Sequence, residues 1–201
     1  MGSGEIVQEQ LIVFTRYPEA GKAKTRLIPA LGEVGAAELH RQMTERTIEK
    51  CRSLKCQLCI YFTGGTLEQM QDWLGYDLCY YPQHSGDLGD RLTHAFQTAF
   101  DQGAKSAIAI GTDCPNLTSE LLTLAFSNLK THPITIGGAT DGGYYLIGCN
   151  RFVPDVFQNI QWSTDIVFQQ TIEIVKRLGL SIAELPILHD IDRPEDLQYL
   201  T

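Results

Sequence analysis

The chain has 201 residues, and its 16 lysines and arginines against 24 aspartates and glutamates give a formal net charge of −8. An apolar fraction of 43% and a charged fraction of 20% are ordinary for a single globular domain of this length. The negative charge argues against a nucleic-acid polymer as partner, no apolar run reaches the roughly 18 residues of a membrane span, and no signal-peptide pattern opens the sequence.

The predicted elements alternate between strand and helix along the chain. Apolar, β-branched and aromatic runs predict strands at 10–15, 56–63, 76–81, 104–111, 134–138, 144–149 and 180–188. Helical spacing of apolar residues predicts helices at 33–54, 87–102, 118–130 and 164–178, and a short helix that follows Gly65 and ends at Leu74. Pro194, in a favoured first-turn position, is expected to open a final helix. This alternation predicts one α/β domain over 10–201, with a mainly parallel central sheet and helices on both faces. Residues 1–9 are expected to form a flexible N-terminal segment.

A cluster of cations follows the first predicted strand. Residues 14–27 read F-T-R-Y-P-E-A-G-K-A-K-T-R-L and contain Arg16, Lys22, Lys24 and Arg26. A loop at the carboxyl end of a first strand is where open α/β sheets bind ligands, and such cations suit phosphates. The loop matches neither the Walker nor the Rossmann glycine pattern. The alternative interpretation is a solvated surface loop.

Acidic residues follow two other predicted strands. Asp113 stands directly after the buried run 104–111, and the late segment H-D-I-D-R-P-E-D-L contains Asp190 and Asp192. Carboxylates are the ligands that Mg²⁺ and Mn²⁺ prefer, and these ions usually accompany nucleotide phosphates. Asp113 could instead form a turn, and the late aspartates could instead cap the helix expected at Pro194. Both uses can hold for different carboxylates.

Two glycine-containing motifs lie between these segments. In Q-H-S-G-D-L-G-D-R-L, Gln83 could contact a nucleotide base and Gly86 would permit close backbone approach. A helix start capped by Ser85 or Asp87 explains the same letters equally well. In T-D-G-G-Y-Y, Asp141 is a candidate ligand or general base for an acceptor hydroxyl, although a plain turn is the alternative.

The cysteines and Trp162 give weaker signals. Six cysteines in a chain expected to be cytoplasmic favour reduced core residues over disulfides. Cys56 and Cys59 lie three apart on a predicted strand, so their thiols should diverge, and no second pair completes a zinc site. Cys114 has no neighbouring base that would make it a nucleophile. Trp162 could stack on a sugar or belong to the core.

The motifs together resemble a known family. F-x-R-x-P-x-x-G-x-x-K-T-R-L, Q-x-x-G-D-L-G-D-R-L, G-T-D-C-P, T-D-G-G-Y-Y-L-I-G, W-S-T and D-I-D-R-P-E-D-L occur in an order similar to the radical-SAM/selenodomain-associated transferases, a group linked to arsenosugar biosynthesis. That group belongs to the nucleotide-diphospho-sugar transferase superfamily, so the resemblance implies a GT-A-like fold. It covers about residues 10–200.

The resemblance also implies roles for individual residues. Asp113 matches the metal-binding aspartate after the central strand, and Asp192 resembles a second metal carboxylate. Lys24 and Arg26 resemble phosphate-contacting residues of the first loop. The first loop here contains proline and more cations than the glycine-rich loop of many sugar-nucleotide synthetases, which leaves the identity of the bound phosphates open.

These residues predict a transferase that depends on Mg²⁺ or Mn²⁺. The first hypothesis is glycosyl transfer from a nucleotide sugar to a small-molecule acceptor, with Asp113 and Asp141 as catalytic residues. The alternative is a nucleotidylyltransferase that uses a nucleoside triphosphate and a phosphorylated acceptor, distantly similar to the guanylyltransferases that activate phospholactate. A binding protein without catalysis is a third class, which the intact acidic and basic motifs count against. A homo-oligomer is compatible with the sequence.

Overall fold

A seven-stranded sheet forms the centre of the computed structural model, which describes residues 9–200. The strands are β1 (Glu9–Arg16), β2 (Gln57–Thr63), β3 (Cys79–Pro82), β4 (Ser106–Ile110), β5 (Ile134–Ala139), β6 (Tyr144–Cys149) and β7 (Ile182–Leu188). Their spatial order is β3-β2-β1-β4-β6-β5-β7. β6 runs antiparallel to β4 and β5, and the remaining neighbours pair in parallel. The expected mainly parallel α/β sheet is therefore confirmed.

Five α-helices connect the strands: α1 (Ile28–Arg52), α2 (Leu67–Leu74), α3 (Leu88–Asp101), α4 (Ser119–Asn128) and α5 (Val167–Arg177). α1 begins before the predicted start at residue 33, but Gly32 interrupts its helical geometry at φ 71. The predicted start thus coincides with a kink. The helix expected from Pro194 is a 3₁₀ helix, Pro194–Tyr199. Most of the predicted flexible segment 1–9 lies outside the described residues, and Glu9 opens β1.

Two apolar clusters pack on opposite faces of the sheet. One contains Leu11, Val13 and Ile60 from the strands together with residues of α1, α2 and α4. The other contains Ile12 and Ala109 from the strands together with residues of α3 and α5. Adjacent residues of β1 therefore point to opposite cores, as expected for a strand buried on both faces. Over the described residues, no helix combines the length and apolarity needed to cross a membrane.

Candidate active site

A cavity of about 590 Å³ opens at the carboxyl ends of the central strands. Its lining is rich in carboxylates, which come from Asp113, Asp141, Asp165, Asp190, Asp192 and Asp196. Arg26 and Arg193 are the cations that line it, and Tyr144, Tyr145 and Trp162 supply aromatic surface. A cavity of this size with a few convergent polar groups has the form of a small-molecule site.

Lys24 joins the basic loop to the two acidic segments. Its side chain is 5% exposed, and its ammonium lies 2.9 Å from Asp113 Oδ1 and 3.9 Å from Asp192 Oδ1. The same ammonium donates to the carbonyl of Ile191. Lys24 has left-handed backbone geometry, at φ 48, directly before a short 3₁₀ turn over Thr25–Leu27. The cation predicted to bind phosphate is therefore held among the carboxylates predicted to bind metal.

The two acidic segments are also joined through their backbones. The Ile191 amide donates to the Asp113 carbonyl at 2.8 Å, and the Ile191 side chain is fully buried. The side chains on either side of Ile191 both line the cavity. Asp192 forms an ion pair with Arg26, whose own side chain is 62% exposed. This ion pair leaves Arg26 at the exposed edge of the cavity.

Asp190, which the sequence marks only as part of an acidic segment with no role of its own, also lines the cavity. Burial raises the pKa of its carboxyl to about 6, and the negative charge of Asp141 is the next cause. A group of this kind holds a proton more readily than an ordinary carboxyl near neutral pH. The D-I-D spacing was the available signal, but the charges that surround Asp190 come from distant segments.

Asp141 lies in a tight turn between β5 and β6. Its Oδ1 accepts a hydrogen bond from the Gly143 amide at 2.7 Å. Gly142 has φ 87, and an added Cβ there would overlap the carbonyl of Asp165. The turn interpretation is thus confirmed, while Asp141 still faces the cavity. The role of Asp141 as a base stays a prediction.

An aromatic wall closes one side of the cavity. The rings of Tyr144 and Trp162 meet edge to face, with centroids 6.3 Å apart. Gly89 lies so close that an added Cβ would stand 2.7 Å from Trp162 Nε1 and 2.6 Å from the Phe157 carbonyl. The absence of a side chain at this glycine therefore lets α3 approach the wall. Such a wall suits the apolar face of a sugar ring.

Buried hydroxyl groups fix the strand ends that carry the site. Thr44 of α1 contacts the hydroxyl of Thr15, at the end of β1, and that of Thr112, beside Asp113, both at 3.2 Å. His40, one turn earlier, donates from Nε2 to the Arg16 carbonyl at 2.9 Å. Burial lowers the pKa of His40, which favours the neutral ring. α1 thus holds β1 and the loop after β4 together.

Lys24 and four more of the six predicted phosphate- or base-binding residues lie outside the cavity lining, and Arg26 alone of the six belongs to it. Lys22 is 61% exposed and pairs with Glu19. The Gln83 amide donates to the carbonyls of Thr15 and Tyr61, so its two protons are used at the ends of β1 and β2. Arg16 and Gly86 are the other two. Their roles in binding a nucleotide stay predictions.

The predicted helix start near Gly86 is present. Asp87 caps α3, and its side chain accepts from the Asp90 amide at 2.9 Å. Gly86 has φ 107, and a Cβ there would overlap the Asp90 carboxylate. Close packing against this carboxylate accounts for the glycine.

Cys114 is buried, and burial raises the pKa of its thiol. A buried thiol with a raised pKa is a poor nucleophile, so the structure does not favour a catalytic role for Cys114.

The donor set can be tested against a divalent ion. No group of three or more His, Cys, Asp or Glu side chains within residues 9–200 is arranged to hold a metal by itself. Asp113 and Asp192 are 46% and 32% exposed, and Lys24 uses one oxygen of Asp113. Mg²⁺ is commonly held by one or two carboxylates together with substrate phosphates and water. The two aspartates fit that mode of binding.

Comparisons with known proteins agree with this architecture. A family model described as "Uncharacterized protein conserved in bacteria (DUF2064)" matches residues 47–164. No curated protein matches the chain in sequence. A solved structure from Desulfovibrio desulfuricans G20, provisionally described as a nucleotide-diphospho-sugar transferase, is 37% identical, with a TM-score of 0.93 over 96% of this chain and 86% of that chain.

Two more distant structures share the fold. Rv0371c from Mycobacterium tuberculosis H37Rv, in complex with manganese, is 16% identical, with a TM-score of 0.61 over 96% of this chain and 97% of that chain. The inositol-1-phosphate CTP transferase from T. maritima is 13% identical, with a TM-score of 0.57 over 96% of this chain and 92% of that chain. The predicted nucleotide-diphospho-sugar transferase fold is therefore confirmed.

Proposed function

We propose that this chain, which belongs to the bacterial family DUF2064, is a metal-dependent transferase that acts on a nucleotide-activated substrate. The reaction that we favour is glycosyl transfer from a nucleotide sugar to a small acceptor. The convergence of Lys24 and Arg26 on Asp113 and Asp192 at the cavity carries this proposal. The 37% identical relative from Desulfovibrio, provisionally described as a nucleotide-diphospho-sugar transferase, supports the class of reaction.

The cations of the basic loop would bind the diphosphate. Lys24 and Arg26 stand beside carboxylates, so they do not by themselves give the cavity a positive charge. Asp113 and Asp192 would hold Mg²⁺ or Mn²⁺, which supplies the remaining charge neutralisation. The manganese complex of Rv0371c supports this choice of ion. Arg26, which is 62% exposed, can turn from Asp192 toward a phosphate oxygen and stabilise the charge that grows on the leaving group.

The acceptor would lie between Asp141 and the aromatic wall. Its hydroxyl oxygen would attack the anomeric carbon of the donor while the bond from that carbon to the diphosphate oxygen breaks. The hydroxyl proton would pass to Asp141, and a nucleoside diphosphate would leave. The ring faces of Tyr144 and Trp162 would orient the sugar.

Nucleotidylyl transfer is the second candidate. Arg193 lines the cavity and forms no ion pair with any residue of the described range, so it could receive a phosphorylated acceptor. The T. maritima relative in fold is a CTP transferase for inositol 1-phosphate, although its low identity supports the fold alone. In this reaction a phosphate oxygen of the acceptor would attack the α-phosphate of a nucleoside triphosphate and release pyrophosphate.

The motifs also support a finer placement. We propose that the chain belongs with the radical-SAM/selenodomain-associated transferases and works in the cytoplasm. The six motifs in matching order support the first part. A screen of sugar nucleotides and nucleoside triphosphates by thermal shift, with and without Mn²⁺, would identify both the base and the class of donor.

Asp113→Asn tests the proposed function directly. An amide is nearly the same shape as the carboxylate but a weaker ligand for a hard cation, so the Mn²⁺-dependent thermal shift with nucleotide should disappear. Asp155→Asn, an exposed change outside the cavity, is the matched control and should behave as the parent. A full Mn²⁺-dependent shift in Asp113→Asn would refute the metal assignment. Release of pyrophosphate with no hydrolysis of any sugar nucleotide would select the second candidate.

A further inference from the structure

A second cleft, of about 280 Å³, lies on the other side of the loop that carries Asp113. It is lined by Met43, Arg46, Thr47 and Lys50 of α1 and by Pro115. The four helical positions are spaced by three and four residues, so they share one face of α1. Pro115 follows Asp113 by two residues, so the cleft and the candidate active site are separated by a single short loop.

The two cations of this cleft have no carboxylate partner. Arg46 and Lys50 stand one helical turn apart, where like charges repel. Within residues 9–200, Arg46 forms no hydrogen bond or ion pair. Lys50 donates to the Pro115 carbonyl at 2.7 Å, which is a neutral partner. Burial, and then the charge of Arg46, lowers the pKa of Lys50.

The rest of the chain makes this arrangement unusual. Acidic residues outnumber basic ones by 24 to 16, yet no carboxylate lines the cleft. Arg41, on the same helix, shows the ordinary outcome, because it is paired with both Glu38 and Glu45. Two unneutralised cations beside a cleft are the arrangement that an incoming anion would complete.

We propose that this cleft binds a small phosphate-type dianion. The Arg46 guanidinium presents planar donors suited to phosphate oxygens, and the Lys50 ammonium has three donors, of which Pro115 uses one. The anion can therefore bind while the bond from Lys50 to the loop is kept. The site is separate from the proposed nucleotide site, because none of its lining residues borders the larger cavity.

Inorganic phosphate is the probe for this site. Titration by calorimetry at constant ionic strength, with chloride as the matched salt, should show saturable binding to the parent protein. Arg46→Gln, an exposed change at a side chain that forms no hydrogen bond or ion pair within residues 9–200, should weaken binding by about tenfold, the loss expected for one charge-assisted hydrogen bond. Arg41→Gln on the same helix should leave the affinity unchanged.

Phosphate binding at the larger cavity is distinguished by Arg26→Gln. Binding that is lost in Arg26→Gln and kept in Arg46→Gln would overturn the proposal, as would a parent protein that binds no phosphate. Loss in Arg46→Gln alone supports it whether or not the proposed transferase activity exists. Tighter binding of glucose 6-phosphate than of inorganic phosphate, again lost in Arg46→Gln, would also support the site and identify a phosphomonoester as its ligand.

Discussion

Lys24→Met removes the charge that joins the three loops of the candidate site. Methionine keeps the length and apolar character of the lysine stem, so the change isolates the ammonium and its contacts. That ammonium lies 2.9 Å from Asp113 and 3.9 Å from Asp192 and donates to the Ile191 carbonyl. Lys22→Met is the matched control, because Lys22 belongs to the same loop but is 61% exposed.

The expected loss follows from the burial of each partner. Removing one member of a fully buried ion pair costs about 3–5 kcal/mol. Here Lys24 is 5% exposed, but Asp113 and Asp192 are 46% and 32% exposed, so water replaces part of what the carboxylates lose. We therefore expect the free energy of unfolding to fall by about 2 kcal/mol. In a domain of this size that corresponds to a melting temperature lower by about 4–8 °C.

Urea unfolding followed by tryptophan fluorescence measures this difference. Trp73 and Trp162 lie on opposite sides of the fold, in contact with different apolar clusters, so their combined signal reports global unfolding. Lys22→Met should change the free energy of unfolding by less than about 0.5 kcal/mol. A Lys24→Met protein as stable as Lys22→Met, or more stable than the parent, would show that the buried ammonium does not stabilise the site.

Two other changes test the local geometry. Gly142→Ala should lower the free energy of unfolding by about 3 kcal/mol, because φ is 87 and the new Cβ would overlap the Asp165 carbonyl. Gly103→Ala, at φ 95 with open space around it, should lower it by only about 1–2 kcal/mol. Equal losses for the two variants in urea titration would refute the overlap. Burial raises the pKa of Cys51 and Cys149 to about 12, so about one thiol in ten thousand is ionised at pH 8. Iodoacetamide should label these cysteines in urea and hardly at all in the folded protein, and the small reactive fraction should grow as the pH rises; rapid labelling of the native protein, detected by mass spectrometry, would contradict their burial.

Much of the fold could be predicted because its central strands are buried on both faces. β1 and β4 appear in the sequence as nearly continuous apolar runs, and the structure buries them between two layers of helices. The helix kink at Gly32 and the 3₁₀ geometry after Pro194 were not predicted. Both depend on local backbone angles that apolar spacing does not report.

The candidate site could be predicted only in part. Asp113, Asp141, Asp192 and Arg26 do line one cavity, because the ends of neighbouring strands bring their loops together. The position of Lys24 among carboxylates could not be foreseen, since it depends on a pairing between distant segments. For the same reason, neither the raised pKa of Asp190 nor the hydrogen bonds of the Gln83 amide to two strand ends could be predicted from the sequence.

The bond from Lys24 to Ile191 closes a loop of 167 residues. Lys24 and Ile191 belong to segments far apart in the sequence, so this contact forms only when the segment after β7 has folded back against the loop after β1. A chain that stops soon after Asp113 has one carboxylate partner for the buried ammonium but lacks Asp192 and the Ile191 carbonyl. A truncation before Ile191 should therefore remove two of the three partners of the Lys24 ammonium, even where the sheet survives. Contacts of this sequence separation form late in folding, so the site should assemble after the local elements around it.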